Sequence, residues 1–122
     1  MTLELAEKVS EVAKLFEEGD KSTARLLRDV GFPDKRKEVS ADEIETVLKR
    51  RPRLTDLWLR RCRDQRLAGG WGIERDKDHW RIQNFSDHRH LEVKDRIRAC
   101  AEFVVRYVAF IGDAQARTQI QS

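Results

Sequence analysis

Apolar residues recur along this chain in two rhythms, and each predicts a different kind of element. Leu5, Val9, Val12 and Phe16 fall at helical spacing, with Ala6 and Ala13 beside them, and predict an amphipathic helix over about residues 3–18. Its opposite face carries Glu4, Glu7, Glu11, Glu17 and Glu18, and Gly19 ends it. Asp20 can cap a second helix with Ala24, Leu27 and Val30 facing inward, which Gly31-Phe32-Pro33 breaks. Asp34-Lys35-Arg36-Lys37 then reads as a solvated loop. Ser40 and Glu43 fit a capping box for a third helix that buries Ile44, Val47 and Leu48 and stops at Pro52. A fourth helix begins at Leu54 or Thr55. It has Leu54, Leu57, Trp58 and Cys62 on one side, and Arg60, Arg61 and Arg63 turned away from them.

Gly69-Gly70 marks the clearest break, and the rhythm then changes from helical to alternating. Trp71, Ile73 and Trp80, Ile82 repeat at spacing two around the polar turn Arg75-Asp76-Lys77-Asp78, which predicts an antiparallel hairpin. Leu91 and Val93 can add a third strand after Ser86-Asp87-His88. Asp95 caps a last helix expected to run to about Ile111, before Gly112. One of its faces holds Ile97, Cys100, Ala101, Val104, Val108 and Ile111, and another holds Phe103, Tyr107 and Phe110. A helix apolar on two faces belongs at the centre, with sheet on one side and helices on the other. The predicted class is α+β: four N-terminal helices, a small antiparallel sheet of two or three strands, and a buried C-terminal helix. Residues 1–112 form one domain, and 113–122 form a polar tail that frays.

Composition narrows what such a domain does. At 122 residues, with 39% apolar and 39% charged residues, the chain supports one modest core under a heavily charged surface. No apolar run approaches the roughly 20 residues of a membrane span, and the acidic start lacks the pattern of a secretion signal, so the protein is expected in the cytoplasm. Cys62 and Cys100 sit in apolar helical settings and read as buried free thiols. Net charge is +3 but unevenly spread. Residues 1–48 hold 8 Lys/Arg against 12 Asp/Glu, residues 49–66 hold 8 against 2, and the remainder is nearly balanced.

Candidate chemistry is sparse. His79, His88 and His90 lie in turn or strand-edge settings with no orienting carboxylate evident in the sequence, and His88 with His90 supplies two possible metal ligands without a third. Asp76 and Asp78 read as solvated turn residues, and Gly69-Gly70 has neither the spacing nor the Lys-Ser/Thr of a phosphate-binding loop. Neither an enzyme nor a bound cofactor or metal is expected. The basic middle, Lys49 to Arg66, followed by a hairpin, has the element order of a winged-helix nucleic-acid reader or transcription regulator. Against that reading, the fourth helix opens with Leu57-Trp58-Leu59 where base-reading residues are polar, and the wing tip is half acidic.

A more definite pattern runs through Trp58-Leu59, Asp64-Gln65-Arg66, Gly70-Trp71, Trp80-Arg81-Ile82 and Ala99-Cys100-Ala101-Glu102-Phe103-Val104-Val105-Arg106. Over roughly residues 54–110 it resembles a type of bacterial immunity protein encoded beside polymorphic toxins, including those of contact-dependent growth inhibition. It departs from the layout at Val104, where isoleucine is more usual, at Gly72, where an aromatic is common, and in its positive net charge. The resemblance implies a protein without catalytic activity that binds a cognate toxin C-terminal domain, of the nuclease type, and blocks it. It implies structural roles for Trp58, Asp64, Arg66, Gly70, Trp71 and Cys100. The toxin-contacting residues are then expected among exposed charges: first Glu7, Glu11, Glu17 and Glu18, then Arg60, Arg61 and Arg63. No membrane contact is implied, and nucleic acid is the less favoured partner.

Overall fold

The computed structural model describes residues 4–18, 25, 39–64, 71–84 and 89–121, with side-chain detail outside 16–18, 61–64 and 111–121. The order is α1 (Glu4–Ser10), α2 (Val12–Glu18), α3 (Ala41–Arg50), α4 (Pro52–Asp64), β1 (Trp71–Asp76), β2 (His79–Asn84), β3 (His90–Val93) and α5 (Arg96–Gln121). The mixed class and the three-stranded antiparallel sheet follow the expectation, while the four N-terminal helices and the placement of the last helix match it only in part. The expected second helix over Asp20–Val30 lies outside the described residues apart from Arg25, which is helical and exposed.

The first expected helix is present with a break at Glu11. The amide of Glu11 still donates to Glu7 O, and that of Leu15 to Glu11 O, each at 3.0 Å, so the helical path resumes at once. At the break the Ser10 carbonyl accepts the Trp58 indole Nε1–H at 2.9 Å, in a buried setting. A long-range indole bond therefore marks the point where α1 gives way to α2.

The start of α3 is the capping box that Ser40 and Glu43 predict. Glu43 N donates to Ser40 Oγ at 3.3 Å, and Ser40 N donates to Glu43 Oε1 at 3.2 Å. Ile44, Val47 and Leu48 are buried as expected. The fourth helix starts earlier than Leu54: Pro52 is its first residue. Proline lacks an amide hydrogen, which a first-turn position does not need, and its fixed φ suits helix entry, so Pro52 both stops α3 and opens α4.

In the sheet the order is β1-β2-β3, with Trp71 opposite Asn84, Ile73 opposite Ile82, Arg75 opposite Trp80, Trp80 opposite Val93 and Ile82 opposite Leu91. This register puts Trp71, Ile73, Trp80, Ile82, Leu91 and Val93 on one face and Glu74, Asp76, His79, Arg81, Gln83 and Glu92 on the other. The hairpin turns on Lys77-Asp78, with Lys77 in the left-handed region at φ 58°.

Helix α5 packs against α3, α4 and all three strands. Asp95 caps it, accepting from Arg98 N at 2.7 Å. Ala99, Cys100 and Ala101 are fully buried, and their small side chains let neighbouring elements approach the helix axis closely. Phe103 stacks on Tyr107 with centroids 5.8 Å apart, and Trp58 meets Tyr107 edge-on at 6.2 Å. The expected end near Ile111 is not observed: the helix continues through Gly112 to Gln121, so the segment 113–121 is helical. An interior glycine costs a helix only about 1 kcal/mol, and Ala114 and Ala116 favour continuation. Among the described residues no helix is long and apolar enough to cross a membrane.

Candidate functional site

The residues expected to face a partner fall into two groups. Glu7 is exposed on α1. Glu11 is half-exposed but engaged, because it accepts from Arg51 across forty residues of sequence. That pair ties the α1–α2 break to the α3–α4 junction, where one acid of the acidic front neutralises one base of the basic middle. The side chains of Glu17, Glu18, Arg61 and Arg63 lie outside the described residues. Arg60 is exposed on α4 with Arg53 and Asp56, while Leu54, Leu57, Trp58 and Leu59 of the same helix are buried.

Among the residues assigned structural roles, Trp58, Trp71 and Cys100 are buried, and all belong to one core with α5. The Arg89 and Arg106 guanidinium carbons lie 5.3 Å and 6.0 Å from the Trp71 ring centroid. Arg66, Gly70 and the side chain of Asp64 lie outside the described residues.

Beside this core, a charged seam joins α3 to α5. Arg98 donates to Asp42, to Glu45 at 2.8 Å and to Glu102 at 3.0 Å, and Arg106 donates to Glu102 at 2.8 Å. The Arg98 hydrogen bond holds the Glu45 carboxyl below its ordinary pKa, with Lys49 adding to the effect. In return the carboxylates push the Arg98 guanidinium further towards its charged form.

Sequence reasoning missed the outer face of the sheet. No orienting carboxylate of His79 is evident in the sequence, yet three lie beside it among the described residues. Its Nδ1 lies 3.2 Å from Asp78, and its Nε2 lies 3.4 Å from Glu92 and 3.7 Å from Asp76. Arg81 bridges the same Asp76 and Glu92 at 3.1 and 3.3 Å. The cluster needs the β2–β3 register to bring Glu92 alongside, so no local motif announces it. The Asp78 contact, then Glu92 and Asp76, raise the His79 pKa above its ordinary 6.5. Because the folded value is the higher one, the contribution to stability is full below the ordinary histidine pKa and is lost as pH rises through the raised value. Thermal melting between about pH 5 and about pH 8 should therefore show a greater loss of stability for the wild type than for His79→Gln. Parallel profiles would contradict this assignment.

A second unpredicted feature is a groove of about 370 Å³ lined by Leu59, Ile73, Glu74, Arg75, Trp80 and Arg96. Four elements, α4, β1, β2 and the start of α5, contribute to it. Arg75 shares the sheet face of Ile73 and Trp80. It is exposed and has no ion-pair partner among the described residues. Arg96 at the rim donates to Asp56, and Glu74 accepts from Gln83 at 3.1 Å. Among the described residues no three His, Cys, Asp or Glu side chains are placed to hold a metal ion.

Comparison with protein-family models, with curated proteins and with solved structures finds no match to this chain.

Proposed function

We propose that this chain is a cytoplasmic immunity protein that binds the C-terminal domain of a cognate toxin, of the nuclease type, and neutralises it stoichiometrically. The observation that carries this reading is the division of labour within the patterned segment. Trp58, Trp71 and Cys100 are spent on the core around α5, while charged residues on α1 and α4 remain outside. A rigid scaffold with an exchangeable charged exterior suits recognition of one protein partner, since charge complementarity sets specificity and encounter rate. Glu7, Glu17 and Glu18 on the first helical segment and Arg60, Arg61 and Arg63 on α4 are the proposed contact sets. Glu11 contributes less to contact, because Arg51 already engages it.

The test is co-expression with the C-terminal domain of a large secreted protein encoded next to this one. Growth arrest by that domain alone, relieved by this protein with recovery of a complex, is the expected result. Arrest that persists, with no complex recovered, would refute the pairing.

A second reading, nucleic-acid binding, draws on Arg50 and Arg53, which are exposed and have no ion-pair partner among the described residues. It predicts an affinity for duplex DNA that falls steeply with salt. Burial of Leu57-Trp58-Leu59 leaves Asp56 beside Arg53 and Arg60 on the exposed side of α4, which places an acid where phosphates would lie.

A further inference from the structure

We infer that the groove between α4 and the hairpin is the docking site for an acidic, apolar-centred segment of the partner protein. This inference rests on the immunity reading and gives it a location. The groove combines an apolar floor with unmatched positive charge. Leu59 is buried, and Ile73 and Trp80 are half-buried against the core. They present enough apolar surface to accept one aliphatic or aromatic side chain, and half-buried tryptophans with adjacent arginines are the residue types that dominate binding energy at interfaces.

Unmatched positive charge at the groove sets the sign of the partner. Arg51, Arg81, Arg96, Arg98 and Arg106 each have a carboxylate within ion-pair distance. Arg75 has none among the described residues, although it lies on the same sheet face as Ile73 and directly across from Trp80. Glu74, the acid among the described lining residues, belongs to the opposite face of β1 and is held there by Gln83. A guanidinium beside an apolar floor, without its own counter-ion among the described residues, is complementary to a carboxylate flanking an apolar side chain, to which it can donate two parallel hydrogen bonds. Arg96 stands at the rim, paired with a solvent-exposed Asp56 that an incoming carboxylate can displace.

The experiment titrates the purified C-terminal domain of the neighbouring toxin into the full-length wild type and into Arg75→Glu, with thermal melting of both to confirm equal folding. Arg75 is exposed, so the substitution should leave the melting temperature unchanged. The expected result is a dissociation constant raised about 30-fold or more by Arg75→Glu. Reversing one Asp or Glu of the toxin domain to Arg should then restore binding to the variant. Tight binding by the wild type with no change in Arg75→Glu would overturn the groove while leaving the immunity reading in place. Weakening that no charge reversal on the toxin repairs would overturn the acidic-segment assignment. Failure of the wild type to bind at all would overturn the immunity reading, and the groove assignment with it.

Discussion

Replacing Trp58 with alanine is expected to destabilise the fold by about 3–5 kcal/mol, a large share of the about 5–15 kcal/mol that holds a typical domain together. Trp58 is fully buried, lies edge-on to Tyr107 and has its indole N–H on the Ser10 carbonyl. Alanine removes the packing, the ring contact and the hydrogen bond together. Phenylalanine separates these effects. It retains most of the ring volume but leaves the buried Ser10 carbonyl without its indole donor, at a cost of about 1–3 kcal/mol. Urea unfolding of the three proteins measures both steps. If Trp58→Phe unfolded with the wild type, the indole bond would have no role in fixing the α1–α2 break.

Substituting Arg98 by methionine is expected to cost about 2 kcal/mol near neutral pH, because the side chain is one-third exposed and its ion pairs are partly screened. Two arginines, Arg96 and Arg98, sit in the first turn of α5, where no acidic side chain occurs and the helix dipole disfavours cations. What retains Arg98 there is the trio Asp42, Glu45 and Glu102, which it draws from α3 and from its own helix. Methionine keeps the apolar stem and removes the charge, so the loss reports the ionic contacts.

The pH dependence follows from Glu45. Its folded pKa is depressed, so its contribution is present above the ordinary carboxylate value of 4.5 and is lost as pH falls through the lowered one. The gap between wild type and Arg98→Met should be wide at about pH 7 and should narrow as pH falls through the lowered Glu45 value. A gap that stays constant would show that the charge of Glu45 plays no part in what Arg98 contributes.

The parts of the structure that local sequence chemistry dictates were legible. Ser40 and Glu43 specify a helix start because their bonds span only three residues. The alternation of Trp71, Ile73, Trp80 and Ile82 specifies a hairpin because a strand's side-chain period is two. The two apolar faces of the last helix require burial on two sides, and α5 is packed that way. Four features depend on competition between weak local preferences and tertiary packing, and these were not legible. Gly112 does not end α5, since a glycine's helix penalty is small beside a long run of helix formers. Pro52 serves two helices, which its chemistry allows but does not demand. His79 gains Glu92 only through the β2–β3 register, and the Arg75–Trp80 groove exists only once α4 and α5 pack beside the hairpin. Sites assembled from several elements leave no contiguous signature, whereas the burial of Trp58, Trp71 and Cys100 follows from the apolar period of the element to which each belongs.

The most direct test of the binding role is calorimetric titration of the purified toxin domain with this protein, alongside an assay of the toxin's activity on the same mixtures. The proposed role predicts saturation at equimolar ratio and toxin activity that disappears at that same point. Undiminished toxin activity past equivalence, with no heat of binding, would contradict it.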